Sequence, residues 1–530
     1  MPYHNKAIME LITHSTLSKT FSAALVGVDA IQVTIETTFT QGIGICIVGL
    51  PDTAVKESSE RVKSAIRCCG IEFPNVEIVI NMSPADVKKE GSAYDLPIAI
   101  GILACYEKIS PEQLPKYMIM GELMLDGSVL PVKGVLPMAI LARKMGYKGF
   151  IVPSANASEA AVVNDLDVIA VDNLQQVIDF LQGKISITPT VVNTREEFMK
   201  ASCQYPFDMR EVRGQDNVKR AFEVACAGGH NILLMGSPGS GKTMLAKRLP
   251  SILPPLTLRE ALETTKIHSV AGKLKRGSTL LTVRPFRSPH HTISPVALVG
   301  GGTNPTPGEI SLAHNGVLFL DELPEFNRMV LEVMRQPLED RVISISRAKY
   351  SVEYPASFMM VASMNPCPCG YFGHPTRRCT CQPGQVQRYM SRISGPLLDR
   401  IDIQVEVQPV EFDAMSSTAD GESSASIRAR VVKARDIQSR RFANNPEIHC
   451  NAQMTSAMLR QYCAIDSQGL AHLKEAMTQL NMSARAYDRI LKVARTIADL
   501  DGSENIKPEH LSEAISYRNL DRGNRAETGF

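Results

Sequence analysis

The stretch Gly236-Ser-Pro-Gly-Ser-Gly241-Lys242-Thr243 decides the fold at the centre of this 530-residue chain. Two glycines followed by Lys and Thr are typical of a loop whose backbone N–H groups surround phosphate oxygens. An apolar strand at 231–235 precedes the loop and a helical pattern at 244–249 follows it, so that the helix N-terminus adds the positive end of its dipole. The pattern predicts an α/β core whose phosphate-binding residues are Gly236, Ser237, Pro238, Gly239, Ser240, Gly241, Lys242 and Thr243.

Two carboxylates follow a second apolar strand about eighty residues further along the chain. The strand at 316–320 ends in Asp321 and Glu322, and open α/β sheets bind ligands at the carboxyl ends of their strands. We expect Thr243 and Asp321 to hold Mg²⁺, and Glu322 to orient and activate the attacking water. Because phosphoryl transfer depends mainly on positioning and charge neutralisation, these groups together with Lys242 predict ATP hydrolysis.

Three further polar residues are candidates for sensing the nucleotide. Asn365 ends an apolar strand that begins at Ser357, and we expect its amide beside the γ-phosphate. Arg400 follows a Gly-Pro-Leu-Leu-Asp run and is expected to reach the nucleotide of a neighbouring subunit. Arg485 opens a helical pattern and is expected to contact the phosphates in its own subunit. An arginine that acts on a neighbour implies an oligomeric ring.

Length and periodicity divide the chain into about three domains. Residues 9–183 alternate strand and helix patterns, and residues 184–209 show the weak periodicity of a linker. Residues 210–410 repeat strand–loop–helix units, and residues 427–518 are almost wholly helical. An α/β core followed by a small helical lid is the layout of an AAA+ module.

The composition indicates a globular protein, with 44% hydrophobic residues, 21% charged residues and a net charge of +2. This charge excludes a uniformly basic nucleic-acid coat, so local patches or a channel between subunits must supply any DNA contact. The sequence has neither an apolar run of about 18 residues nor the apolar core of a signal peptide. We therefore expect no membrane segment and a cytoplasmic location.

Four of the 12 cysteines lie within fifteen residues of each other. They are Cys367, Cys369, Cys379 and Cys381. Four thiolates suit tetrahedral Zn²⁺, and in a reducing compartment such a cluster points to metal rather than to disulfides. We therefore expect a zinc-binding loop at 367–381. An iron–sulfur cluster, unmetallated thiols, or His374 as a substitute ligand are alternatives.

These motifs resemble the ComM (YifB) family of bacterial magnesium-chelatase-like AAA+ proteins. The matching runs are 24–28, 48–52, 54–58, 81–85, 214–215, 284–291, 308–314 and 367–370. The resemblance implies a homohexameric ring that uses ATP to move along DNA and promotes branch migration during natural transformation. It gives the nucleotide, sensor and zinc roles to the residues named above. It also implies single-stranded and branched DNA as the partner, with recombination proteins as further partners.

Related ring motors carry a β-hairpin that points into the channel, and the segment 341–355 has that alternating pattern. Arg347 and Lys349 stand near its turn. Cations at this place would bind phosphates without distinguishing the bases, as a sequence-tolerant motor requires. The Arg-Ser-Pro-His-His segment at 287–291 is a candidate for a second channel loop.

The N-terminal domain resembles the Lon protease domain fold but departs from it at the catalytic dyad. Ala93 and Met138 stand where active Lon-type domains carry Ser and Lys, and Ser92 and Lys133 lie nearby. We therefore expect a binding or scaffolding domain.

Two functions compete with the DNA motor: a chelatase-type AAA+ protein that remodels a protein partner, and a residual Lon-like protease. The zinc loop and the basic hairpin favour DNA.

Overall fold

The computed structural model describes residues 17–201, 205–275, 277–302, 305–347, 350–409, 421–445, 447–479 and 482–518. Residues 9–16 of the predicted first domain, residues 412–420 of the chain before the lid, and Lys349 lie outside this set. The described residues form two compact units: one is the chain up to Lys200 together with Leu258–Leu281, and the other is the remainder. Within the described ranges, no helix is both long enough and apolar enough to cross a membrane.

The first unit is built on a mixed seven-stranded sheet with the order β3-β4-β2-β1-β5-β8-β9 and a small hairpin, β6–β7. The pairs β1–β2 and β2–β4 are antiparallel, whereas β3–β4 and the run from β1 through β5 and β8 to β9 are parallel. The strands are β1 Ser18–Val26, β2 Asp29–Thr40, β3 Gly44–Val48, β4 Glu77–Ser83, β5 Tyr117–Ile119, β6 Glu122–Leu123, β7 Val129–Leu130, β8 Gly149–Pro153 and β9 Asp167–Val171. Its helices are Thr53–Cys68, Asp95–Cys105, Val135–Lys144, Ser154–Ala160 and Leu174–Leu181.

Burial explains how these helices cover the sheet. All residues of Asp95–Cys105 are buried, as its nearly continuous apolar sequence requires. The helix Thr53–Cys68 is amphipathic, and the Asp52 carboxylate caps it by accepting the Val55 N–H at 2.8 Å. At the two positions that the resemblance aligns with the Lon dyad, Met138 belongs to an apolar cluster and Ala93 packs against that cluster. These two positions therefore supply neither a nucleophile nor a base.

The segment predicted to be a linker, 184–209, contains a helix and a backbone hydrogen bond to strand β9. The Thr190 N–H bonds to the Val168 carbonyl at 2.9 Å, and Thr194–Ala201 is a helix. Residues joined to the sheet by a single hydrogen bond need no regular apolar pattern, which is why the sequence shows only weak patterning there.

The segment Leu258–Leu281 folds with the first unit although it lies inside the range 210–410 expected for the ATPase core. Its helix, Leu258–Val270, is held near its end by Ser269, whose hydroxyl donates to the buried Glu159 carboxylate at 2.5 Å. Glu159 also accepts the Leu136 N–H at 3.0 Å, at the start of the helix Val135–Lys144. Burial, the largest effect, raises the pKa of Glu159.

In the second unit, Arg284 connects the chain just before the segment Leu258–Leu281 with the chain just after it. Its guanidinium donates to the carbonyls of Pro254 at 2.6 Å, Asn315 at 2.7 Å and Pro255 at 3.3 Å. The chain segments on either side of the excursion are therefore joined by one side chain. Helix periodicity shows which face of 258–270 is apolar but not which other element that face packs against, so the sequence alone does not predict the excursion.

The second unit contains a five-stranded parallel sheet with the order β11-β14-β17-β10-β18. The strands of this unit are β10 Ile232–Gly236, β11 Phe286–Arg287, β12 Gly300–Gly301, β13 Thr306–Pro307, β14 Val317–Leu320, β15 Val342–Arg347, β16 Tyr350–Pro355, β17 Met359–Met364 and β18 Ile403–Val407. Its core helices are Asp216–Gly228, Lys242–Arg248, Pro295–Val299, Glu309–Leu312, Arg328–Val333, Arg335–Asp340, Pro383–Met390 and Gly395–Leu398. The lid helices are Ser424–Arg441, Ser456–Tyr462, Ser467–Gln479, Ala484–Leu500 and Pro508–Ser516.

A buried polar network joins the lid to the sheet. Asp402, just before β18, accepts Arg489 at 2.8 Å from the lid and lies 3.2 Å from a ring nitrogen of His230. The other ring nitrogen of His230 is 2.8 Å from the Thr496 hydroxyl of the lid. Burial raises the pKa of Asp402, but Arg489 and His230 more than offset this, so the pKa lies well below the usual range.

Candidate functional site

The predicted nucleotide residues lie together at the carboxyl ends of the strands of the five-stranded sheet. Strands β14, β17 and β10 are parallel neighbours, with Leu320 opposite Ala362 and Met235 opposite Met364. The carboxyl ends of the three strands therefore coincide. Since Asp321, Asn365 and the phosphate loop each follow directly from one of these strands, the sheet places them together.

The phosphate loop has the backbone conformation that its glycines permit. Gly239 and Gly241 have φ values of 81° and 88°, which L-residues with a Cβ adopt only with strain. The helix then begins at Lys242. Among the buried side-chain atoms of the described residues, Ser240 Oγ has no hydrogen-bond partner. Loop N–H groups, a buried hydroxyl and a helix start fit a phosphate group.

Lys242 links the phosphate loop to the sensor strand. Its ammonium group donates to the carbonyls of Gly236 at 2.8 Å and Ser237 at 2.9 Å, and to Asn365 Oδ1 at 3.2 Å. Burial lowers the pKa of Lys242, while the carboxylates of Asp321 and Glu322 act in the opposite direction. The predicted lysine and the predicted amide sensor are thus in direct contact.

Thr243 and Asp321 provide the oxygen ligands expected for Mg²⁺. The Thr243 hydroxyl donates to Asp321 Oδ2 at 2.7 Å, so both oxygens face the same point, as hard-cation coordination requires. The other carboxylate oxygen, Oδ1, accepts a hydrogen bond from Ser363 Oγ. Ser363 is fully buried on β17, and no motif of the sequence points to it. The one signal that could have found it is its place two residues before Asn365.

Glu322 occupies an unusual backbone position next to Asp321. Its φ and ψ are 55° and 50°, a left-handed conformation that is uncommon outside glycine and is often found at functional sites. Its side chain is 57% exposed, and Oε2 lies 3.7 Å from Nδ1 of His291. The rings of His290 and His291 lie with their centroids 4.1 Å apart and their planes tilted by 34°. The segment suggested as a second channel loop therefore places one histidine beside the candidate catalytic carboxylate.

Arg400 lies at the amino ends of the strands, whereas the phosphate loop lies at their carboxyl ends. It comes shortly before β18, and its carbonyl accepts the Asn231 side-chain amide at 3.0 Å just before β10. The guanidinium is buried and pairs with Glu339 at 2.5 Å. The amino ends of the strands do not face the nucleotide site of the same subunit, which fits a residue directed at a neighbour. The action of Arg400 on a neighbouring subunit stays a prediction.

Arg485 is exposed in the first turn of the lid helix Ala484–Leu500. The structure places it on a helix whose next turn is fixed to the sheet by Arg489 and Asp402. Its contact with a nucleotide stays a prediction.

The predicted hairpin is present as the antiparallel pair β15–β16, with Arg347 opposite Tyr350 across the turn. Ile345 and Tyr354 bury one face, and the Tyr354 hydroxyl donates to the Pro305 carbonyl at 2.7 Å. Lys349 and the side chain of Arg347 are outside the described part of the chain, so their contact with DNA stays a prediction.

The four clustered cysteines converge as the sequence predicts for a metal site. Their Sγ atoms all lie within 4.8 Å of one another. The measured separations are 3.3 Å for Cys367–Cys369, 3.7 Å for Cys367–Cys379 and 3.5 Å for Cys369–Cys379. Sulfurs bound at about 2.3 Å to one tetrahedral zinc would be about 3.8 Å apart. The donor set therefore fits Zn²⁺.

The thiols of the cluster differ in acidity. For Cys369, the N–H groups of Tyr371 and Thr380 outweigh burial and lower the pKa to about 5. Burial is the largest effect on Cys379 and, together with the neighbouring thiols of Cys369 and Cys367, raises its pKa to about 12. His374 does not join the four sulfurs: its Nδ1 accepts the backbone N–H groups of Arg377 at 3.0 Å and Thr376 at 3.2 Å.

A parallel α/β sheet with a phosphate loop after its central strand, carboxylates after a neighbouring strand and a helical lid defines an AAA+ module of the magnesium-chelatase type. Three family profiles match the chain. They are "Magnesium chelatase, subunit ChlI" over residues 208–415, "Subunit ChlI of Mg-chelatase" over 35–156, and "Magnesium chelatase, subunit ChlI C-terminal" over 421–518.

The chain belongs to the ComM (YifB) family within that class. It is 44% identical to the uncharacterized protein YifB of Escherichia coli and 43% identical to the competence protein ComM of Haemophilus influenzae. Each alignment covers 96% of this chain and 98% of the relative. A shorter alignment, 31% identical over 127 residues, covers 22% of Lon protease 2 of Bacillus subtilis.

Proposed function

We propose that this protein is an ATP-dependent DNA motor, a helicase or translocase that assembles as a homohexamer. In this proposal it works in the cytoplasm and promotes branch migration of recombination intermediates during natural transformation. The observation that carries the ATPase part is the meeting of Lys242, Asn365, Thr243 and Asp321 at one sheet edge. The name of the Haemophilus influenzae relative, competence protein ComM, supports the biological setting.

The residues divide the work of ATP hydrolysis as follows. Lys242 and the loop N–H groups bind and neutralise the phosphates, and Asn365 holds Lys242 in place. Thr243 and Asp321 would hold Mg²⁺, which when bound would supply positive charge to offset that of the phosphates. Glu322 accepts a proton from the attacking water. Arg400 acts on the nucleotide of the neighbouring subunit after exchanging Glu339 for phosphate, so hydrolysis depends on ring assembly, while Arg485 binds the γ-phosphate from the lid.

The DNA contacts in this proposal come from the hairpin β15–β16. Arg347 and Lys349 bind backbone phosphates, so binding weakens as salt rises. Replacing both with Ala should lower the slope of log affinity against log salt by about one for each phosphate that the variant no longer binds. Lys144→Ala, an exposed cation on a helix of the first unit, is the matched control. An unchanged slope in the hairpin variant would remove these residues from the DNA site.

The deciding experiment is ATP-dependent migration of a labelled three-strand DNA branch by the purified protein. Glu322→Gln is the control, because it keeps the shape of the side chain but cannot accept a proton. Strand exchange by the wild type, absent in the variant, would establish the motor. Hydrolysis of ATP without binding or moving branched DNA would refute it.

The second candidate is a chelatase-type remodeller whose ATP cycle reshapes a protein partner. The family profiles, all described as magnesium chelatase subunits, favour this alternative. It predicts ATPase stimulation by a protein and none by branched DNA, so measuring hydrolysis with each added partner separates the two functions.

A further inference from the structure

The loop that carries the four cysteines touches the phosphate loop. Gly370, which directly follows Cys369, is buried. A methyl group on Gly370 would lie 2.4 Å from Cδ and 2.6 Å from Cγ of Pro238. Such distances are far below van der Waals contact, so the Gly370 Cα lies directly against the pyrrolidine ring in the middle of the phosphate loop.

The position of Gly370 is set by the cysteine cluster. The Gly370 N–H bonds to the Cys367 carbonyl at 3.0 Å, which closes a tight turn around Cys369. The Cys369 N–H in turn points at Cys381 Sγ, 3.3 Å away. A metal bound by these thiolates fixes the turn from both sides, and Gly370 moves with it.

The start of the cysteine loop is also joined to the nucleotide site. Asn365, two residues before the fully buried Cys367, accepts a hydrogen bond from Lys242 at 3.2 Å. The same short segment thus contacts the phosphate loop at Lys242 and at Pro238. Between these contacts the phosphate loop contains Gly239 and Gly241, both at positive φ, so it depends on external contacts for its rigidity.

We propose that the metal-loaded cysteine loop holds the phosphate loop in its binding conformation through the contact of Gly370 with Pro238. Release of the metal frees the turn at Cys369 and weakens nucleotide binding. ATP binding is therefore conditional on the metal state of the four thiols. This inference rests on the proposed nucleotide site and makes Zn²⁺ a regulator of that site rather than a contact for DNA.

The test compares Gly370→Ala with Gly373→Ala. The two glycines have similar φ values, +84° and +75°, so the backbone strain is matched, but nothing lies within 4 Å of a Cβ at Gly373. We expect Gly370→Ala to weaken binding of a fluorescent ATP analogue at least tenfold, with zinc content unchanged. Gly373→Ala should stay within about twofold of the wild type, because it adds only the shared strain.

Pro238→Ala provides the second half of a double-mutant cycle. It removes Cγ and Cδ, and the nearest Pro238 atom left to a Cβ at position 370 is the backbone nitrogen, at 3.7 Å. Gly370→Ala should therefore have little further effect in the Pro238→Ala background. Equal effects of Gly370→Ala in both backgrounds would contradict direct contact as the cause.

Removal of zinc from the wild type with a chelator, followed by titration with zinc alone, tests the same link without a substitution. We expect analogue affinity to fall at least tenfold and to return with one zinc per chain. If the loaded wild type binds no analogue, the proposed nucleotide site is wrong. If it binds the analogue equally with and without zinc, or if Gly370→Ala matches the wild type, the present inference is overturned while the proposed nucleotide site stands.

Discussion

Replacing Ser363 with Ala tests how Asp321, the proposed magnesium ligand, is held. The Ser363 hydroxyl donates to Asp321 Oδ1, leaving Oδ2 to Thr243. Hydrogen bonds to charged groups contribute about 1.5–3 kcal/mol. Because about 1.4 kcal/mol corresponds to a factor of ten, we expect the apparent affinity for Mg²⁺ in the ATPase reaction to fall about 10- to 100-fold. The ATP analogue should bind nearly as before in the absence of Mg²⁺.

The matched control is Ser311→Ala. Ser311 is also fully buried in the same unit, but its hydroxyl has no hydrogen-bond partner among the described residues. Its loss should leave both stability and the Mg²⁺ requirement unchanged. The assay is steady-state ATP hydrolysis titrated with Mg²⁺, with thermal melting of each variant as a check on folding. If Ser363→Ala folds normally and keeps the wild-type Mg²⁺ dependence, Ser363 does not position Asp321.

Three more substitutions test other contacts. Lys242→Ala should weaken ATP binding at least about 10- to 100-fold, because it removes a charged hydrogen-bond donor; analogue binding equal to the wild type would exclude Lys242 from the phosphate site. His291→Ala should lower kcat by at most about fivefold with little change in KM, since a partly exposed pair with Glu322 contributes up to about 1 kcal/mol; a change confined to KM would contradict a positioning role. Asp402→Asn should lower the free energy of unfolding by about 3–5 kcal/mol in thermal unfolding, because it leaves the positive charge of Arg489 without a negative partner in a buried environment. The pKa of Asp402 lies below its unfolded value of about 3.9, so the stability that Asp402 contributes is complete above that pH and declines as pH falls below it. If Asp402→Asn loses as much stability at low pH as the wild type does, other groups cause that loss.

The residues of this site that lie in local sequence motifs could be predicted, whereas the residues that surround and position them could not. The phosphate loop, Asp321 and Asn365 were predictable because each follows an apolar strand, and parallel strands bring their carboxyl ends together. The cysteine cluster was predictable because its ligands are close in sequence.

Contacts between distant segments were not predictable in the same way. Ser363 looks like any small residue of a buried strand, and its role appears only when β17 lies beside β14. His291 and Glu322 are brought together by the pairing of β11 with β14, which single-sequence patterns do not specify. Arg400 was expected to act outside its own subunit, but its pairing with Glu339 depends on tertiary packing.

The excursion at Leu258–Leu281 has a consequence for synthesis on the ribosome. When the chain has been translated as far as Val171, the strands β1–β9 are complete, yet Ser269, the partner of the buried Glu159, has not been made. Until Ser269 is made, the buried Glu159 carboxylate lacks one of its hydrogen-bond donors. The apolar core that Leu280 joins also lacks that side chain. The first unit therefore cannot finish folding before the phosphate loop has been translated, and a fragment that stops at residue 200 should be less stable than the same unit in the whole chain.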